Sequence, residues 1–194
     1  MRFMNMIVAM ALACLVVGGA ILSVTTVSAA PVVTSSNGTG VALLDGNLTL
    51  TLPADFIDQT PANKTARDIG VAVQLFTHPG QSQVVGISTV PTLKGHANDT
   101  SERAFNKMAQ GALSGLKTQF TSVKKTAQST VIAGGHKILR MDCEQVMKGN
   151  AIIGTLLITP YRDNVITVQV LSPAATRAEH DALVKTILDT LVFQ

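Results

Sequence analysis

Tryptophan is absent from this chain of 194 residues, and Tyr161 is its only tyrosine. Aromatic platforms for sugars or nucleobases therefore have little to be built from. Cysteine is as scarce, with Cys14 near the start and Cys143 alone in the remainder, which excludes a disulfide-dense scaffold. Charge is thin and balanced. Beyond Arg2, fourteen basic residues face twelve acidic ones, a net +2 that is too weak and too dispersed for a nucleic-acid surface. There is no G-x-S-x-G, no Walker loop and no dinucleotide fingerprint.

Charge is most absent at the start. Arg2 is the only charged residue before Asp45, and Ile7 to Val27 is apolar apart from Ser23, Thr25 and Thr26. The run ends in "VSA", the small-residue pattern of a secretory signal cleaved after Ala29. Two alternatives stay open. The same run spans about 30 Å as a helix, enough for an uncleaved anchor. Cys14 could carry lipid, although "LVVGG" follows it where mature lipoproteins continue with polar residues. Removing residues 1–29 leaves 165, one domain's worth, able to bury about 70% of its unfolded surface.

Residues 30–40, "APVVTSSNGTG" with its flanks, read as a flexible spacer, and 41–194 as a single domain. Leu48, Leu50 and Leu52 alternate with Thr49 and Thr51 and predict a strand that Pro53 stops. Phe56 and Ile57 are expected to pin the following loop to the core. Strands follow around Val71–Leu75 and over "SQVVGISTVP". From Thr100 to about Phe120 the apolar period becomes helical, with Asp99 and Glu102 resembling a capping box. Four more strand-like segments come next, joined by "GGH", "GN" and "PYRDN". In "KILRMDCEQVMK", Leu139, Met141, Cys143 and Met147 share one face, and Ile138, Arg140, Asp142 and Glu144 the other. Leu183, Val184, Ile187, Leu188 and Leu191 predict a final helix, capped by Ser172 or by Thr176 with Glu179. Hairpin-length turns make the pairing antiparallel. The fold class is α+β: a mostly antiparallel sheet of about six strands with two long helices packed on it.

Residues that could carry chemistry are scattered. Cys143 shares a face with Leu139 and Met141 and reads as an inert core thiol. His78, His96, His136 and His180 never pair at metal-ligand spacing and read as separate surface histidines. Ser114 with Lys117, and Ser122 with Lys125, match S-x-x-K, but no K-T-G accompanies them. Asp142 and Glu144 lie about 7 Å apart on one strand face, which reads as solvated with Arg140 compensating. Asn37, Asn47, Asn63 and Asn98 open N-x-T sequons that read as compositional chance. No catalytic, cofactor-binding or metal residue is assigned.

The segment "LLDGNLTLTLPADFIDQT" resembles the opening of the DcrB family of bacterial cell-envelope proteins. The resemblance returns at "GGHKILRMD" and in "SPAATRAEHDALVKTILDTLVFQ", and runs in order from Val41 to Gln194. It implies a PsbP-like fold and a non-enzymatic periplasmic protein without cofactor. It implies a role in envelope integrity and membrane or lipoprotein homeostasis, with a family link to phage adsorption. Partners would be envelope proteins or the periplasmic face of the inner membrane, not nucleic acid. The family's best-known relatives end their leader in a lipobox, whereas this leader ends in "VSAA". Location is therefore periplasmic after cleavage, or anchored in the inner membrane facing the periplasm. The competing reading is a small periplasmic hydrolase or ligand-binding enzyme, with a sheet–helix cleft around His136, Asp142 and Glu144.

Overall fold

The computed structural model describes residues 34–35, 38–60, 71–92 and 98–194. The leader, Cys14, His96 and the sequons at Asn37 and Asn63 lie outside the described residues. The described strands are β1 (Thr34–Ser35), β2 (Gly38–Leu43), β3 (Leu48–Leu52), β4 (Ile57–Asp58), β5 (Ala72–His78), β6 (Gln83–Pro91), β7 (Ser122–Ala133), β8 (His136–Met147), β9 (Asn150–Tyr161), β10 (Asn164–Pro173) and β11 (Val192–Phe193). Helix α1 spans Glu102–Gln119 and α2 spans Arg177–Thr190. Among the described residues no helix is long and apolar enough to cross a membrane.

The main sheet has seven strands in the order β4-β5-β6-β10-β9-β8-β7, antiparallel at every pair. Its long strands are joined by two-residue turns at Gly134–Gly135, Lys148–Gly149 and Arg162–Asp163, with positive φ at both positions of each. Such turns match the right-handed twist of the strands they connect. The near-continuous apolar run of β9 is buried from Ile152 to Tyr161. A strand buried on both faces needs a layer on each.

Helix α1 supplies one layer. Phe105, Ala109, Leu116 and Phe120 pack with Leu139, Met141, Cys143 and Leu156. Helix α2 and a small sheet supply the other, placing Leu183, Val184, Ile187, Leu48 and Leu50 against Ile138, Leu157, Val168 and Val170. The α+β class read from the sequence stands, with seven strands in the main sheet rather than about six. The opening strand belongs elsewhere. It lies in a second sheet of order β1-β2-β3-β11. The turn "LLDG" folds back with left-handed Leu44 and Asp45, and Asn47 closes it by donating from Nδ2 to the Leu44 carbonyl at 2.6 Å.

Several local expectations shift. The strand paired with β3 begins at Gly38, inside the segment read as spacer, because the small sheet needs that partner. Phe56 is buried, but Ile57 is 49% exposed, since adjacent residues of a strand point to opposite faces. Helix α1 is capped by Ser101, whose Oγ accepts from the Ala104 amide at 3.2 Å, while Asp99 accepts from the Ser101 amide. Helix α2 stops at Thr190, and the chain turns into β11 rather than remaining helical. The two sequons within the described residues hold turns: Asn47 as above, and Asn98 by accepting from the Arg162 amide at 3.0 Å.

The turn at Gly134 lies against the last strand. A Cβ there would sit 2.6 Å from the Leu191 carbonyl oxygen and 2.8 Å from the Phe193 ring, at φ +54°. Gly134→Ala should destabilise the protein by about 1–3 kcal/mol. Gly111, exposed within α1, has nothing within 4 Å of its would-be Cβ. Gly111→Ala should stabilise by up to about 1 kcal/mol. Urea unfolding followed by circular dichroism measures both. Equal effects would mean that β11 is not seated on the turn.

Candidate functional site

The most connected polar cluster lies under the start of α2. His180 is 2% exposed, Ser172 2% and Thr155 1%. The middle of β9 and the end of β10 bring Thr155 and Ser172 to the face that α2 covers. His180 occupies the position of α2 that leads into its apolar stripe of Leu183, Val184 and Ile187. Ser172 Oγ lies 2.9 Å from His180 Nδ1, and Thr155 Oγ1 lies 2.9 Å from His180 Nε2. Thr155 donates to Asp142 Oδ1 at 2.6 Å. Arg140 Nε grips the same carboxylate at 3.1 and 3.0 Å.

Hydrogen counting fixes the direction of this chain. The Thr155 hydroxyl has one hydrogen, and it goes to Asp142. Thr155 must therefore accept from His180, so Nε2 carries the ring proton. Burial lowers the His180 pKa below its ordinary 6.5, against Asp142 and Asp181, which favour the charged form, and alongside Arg140 and Arg177, which oppose it. The neutral ring leaves Nδ1 as an acceptor, and Ser172 donates to it. Both ring nitrogens are satisfied without a buried charge.

A rim of ion pairs surrounds the cluster. Arg140 reaches Asp181 of α2 at 4.0 Å, and Glu144 lies 3.7 Å from both Arg177 of α2 and Lys124 of β7. These half-exposed pairs contribute at most about 1 kcal/mol each. They also change the reading of Asp142 and Glu144. Their strand face is open at Glu144, which is exposed, and partly covered beside α2 at Asp142.

A serine hydroxyl donating to a histidine that is oriented through a carboxylate resembles the activation used in acyl transfer. Here Ser172 is sealed beneath α2, so a substrate carbonyl has no approach to its Oγ while that helix is seated. The arrangement instead ties α2 to three strands of the sheet.

The remaining residues stay apart. His136 lies at the far end of β8 from Asp142, about 20 Å along the strand. It packs against Phe193 at 4.1 Å and Tyr161 at 5.3 Å between ring centroids. The structure therefore does not assemble a cleft from His136, Asp142 and Glu144; the histidine that meets Asp142 is His180. His78 packs edge-on against Phe56 and lies 3.8 Å from Asp55. His180 corrects the expectation of four surface histidines, since hydrogen bonds to both nitrogens make its burial tolerable. Ser114 and Lys117 are exposed on α1, and Lys125 bonds Gln128 at 2.8 Å. Among the described residues no group of three His, Cys, Asp or Glu side chains could hold a metal ion.

Cys143 faces α1, away from this cluster, and is 2% exposed. Burial first, then Asp142, push its thiol up to about 11, with Lys125 opposing. It should resist thiol reagents in the native protein and react on unfolding. Peptide-level mass measurement of labelling at Cys143 tests this, and rapid native labelling would contradict its burial.

Because folding lowers the His180 pKa, the unfolded chain binds more protons as pH falls below about 6.5. His180 burial therefore leaves stability intact above that pH. It removes stability as the pH drops through the folded-state pKa. Midpoints of urea unfolding between pH 7.5 and 5 should fall in the wild type and fall less in His180→Gln. Ser172→Ala should cost about 1–3 kcal/mol at pH 7.5 by leaving Nδ1 unpaired. An identical pH slope in both proteins would count against the proton assignment.

No family model matches the chain. A curated relative, the inner membrane lipoprotein DcrB of Shigella flexneri, is 25% identical over 165 residues, covering 84% of this chain and 83% of the relative. The solution structure of cyanobacterial PsbP from Synechocystis aligns with TM-score 0.60 at 8% identity, covering 86% of this chain and 98% of that one. A crystal structure from Bacteroides thetaiotaomicron aligns with TM-score 0.56 at 13% identity over 82% of this chain, which spans about half, 49%, of that protein. The chain is similar to DcrB in sequence and to PsbP in fold, which is the resemblance that its opening segment carries.

Proposed function

We propose that this is a non-enzymatic envelope protein, exported by its leader and working at the periplasmic face of the inner membrane in envelope integrity and membrane or lipoprotein homeostasis. What supports this reading most is the similarity to an inner membrane lipoprotein over 84% of this chain and 83% of that one. The polar cluster agrees with it, because its hydrogen bonds are used internally to seat α2. On this reading the leader is cut after Ala29, and the protein is held to the membrane by its surface rather than by a span. Any part in phage infection would follow attachment, since a periplasmic protein cannot touch a particle outside the outer membrane.

One observation favours a second reading. The order Ser172, His180, Thr155, Asp142 is that of a nucleophile and its base, so a hydrolase that opens by displacing α2 is the alternative.

Intact-mass measurement of the protein from its host, with cell fractionation, tests the first reading. It should start at Ala30 and fractionate with the envelope. A mass retaining Met1, or a lipid on Cys14, would replace surface attachment with anchoring. A cytoplasmic protein would end the proposal. Labelling with a fluorophosphonate separates the two readings: none is expected, and modification of Ser172 would establish the hydrolase.

A further inference from the structure

Charge is distributed unequally between the two layers that cover the main sheet. On the α2 side, Lys124, Arg140, Arg177 and Lys185 each have a carboxylate within 4.0 Å. On the α1 side, Arg103, Lys107, Lys117 and Lys125 have none among the described residues. Glu102, in the first turn, is the only carboxylate on α1.

The three helical cations are aligned. At 100° per residue, Arg103, Lys107, Gln110, Ser114 and Lys117 fall within about 40° of one line along the helix. Phe105, Ala109 and Leu116 are buried on the opposite side. The stripe thus points directly away from the core and runs about 21 Å from Arg103 to Lys117. Lys125 joins its flank: it bonds Gln128, which bonds Asn106 of α1 at 2.9 Å.

We infer that this stripe is a docking surface for an anionic phospholipid bilayer. This rests on the proposed membrane-face function and adds the contact through which it operates. A straight row of unpaired cations on a helix lying against the sheet meets a plane along its whole length. Small or neutral residues between the cations, Gln110 and Ser114, allow close approach. No large apolar side chain is exposed on the stripe, so binding is electrostatic and sensitive to salt rather than insertional. No aromatic residue interleaves the cations, which disfavours a single-stranded nucleic acid.

The test uses the protein as its host processes it and vesicles of phosphatidylcholine with or without about one-third phosphatidylglycerol. A cation near an anionic surface strengthens binding about five-fold. The variant Arg103→Gln/Lys107→Gln/Lys117→Gln should therefore bind the anionic vesicles about 100-fold more weakly, with unchanged thermal unfolding. High salt should abolish the wild-type preference for anionic vesicles. The control Lys124→Gln/Lys185→Gln, which changes paired cations on the other layer, should bind as wild type. Undiminished binding by the triple variant, equal weakening in the control, or no wild-type preference for anionic vesicles would each overturn the inference. Capture of an acidic protein by the stripe without vesicle binding would overturn it too. None of these results touches the envelope location, which fractionation decides separately.

Discussion

The interior strand β9 is buried on both faces, and the rest of the architecture follows from that. Ten consecutive residues, from Ile152 to Tyr161, lie within the protein interior. An antiparallel sheet often leaves one face in water, and this one does not. The chain must therefore supply two covering layers. One long amphipathic helix, α1, provides the first. The second is composite, made from α2 and a small sheet of β1, β2, β3 and β11, which draws on both the early and the last described segments. The two layers are unequal in how they are attached. Helix α1 is held by apolar contact with few polar ties, whereas α2 is also held by directional hydrogen bonds.

Those bonds explain a histidine that is 2% exposed. An apolar residue at that position would bury more easily but would take from Ser172 its acceptor and from Thr155 the donor to its oxygen, leaving Thr155 only its bond to Asp142. Removing one member of such a chain costs more than the chain itself contributes, because a buried donor or acceptor is left unpaired. The carboxylate at its end is not isolated. Asp142 is gripped by Arg140, which itself faces Asp181 of α2. Charge at the edge, a dipolar link through Thr155 and a neutral ring at the centre form a gradient from solvent to core. That ordering lets a polar cluster hold a helix without burying an ion.

Much of the fold was legible because its signals are local. Alternation marked β3 and β8, helical spacing marked α1 and α2, and the turns "GGH", "GN" and "PYRDN" marked the hairpins. The second sheet was not legible. It joins Gly38–Leu43 to β3 as a hairpin that begins inside the segment read as spacer, and Val192–Phe193 to β3 across more than a hundred residues, a pairing that no local pattern announces. The candidate site was partly legible. Cys143 and its face were correctly placed by alternation. His180 was read as a surface residue because acidic neighbours flank it. Yet His180, Leu183, Val184 and Ile187 follow the spacing of a buried stripe, and that spacing was the better guide. Ser172 was read as a helix cap, a use its position allows, but a single 3-10 turn at Ala174–Thr176 intervenes before α2.

The placement of charge follows from the same division of labour. Beside the buried neutral histidine, Arg140 and Arg177 both oppose protonation of the ring, and each is matched by a carboxylate within 4.0 Å. Helix α1 covers an apolar face that contains no titrating group except the protonated thiol of Cys143. Nothing in that layer requires its cations to be neutralised. Four of them can stand unpaired at little cost to folding, because each remains in water. Pairing thus accompanies the buried histidine on one side of the sheet, and no such demand exists on the other. The side freed from that demand is the one whose charge can address the surroundings rather than the fold.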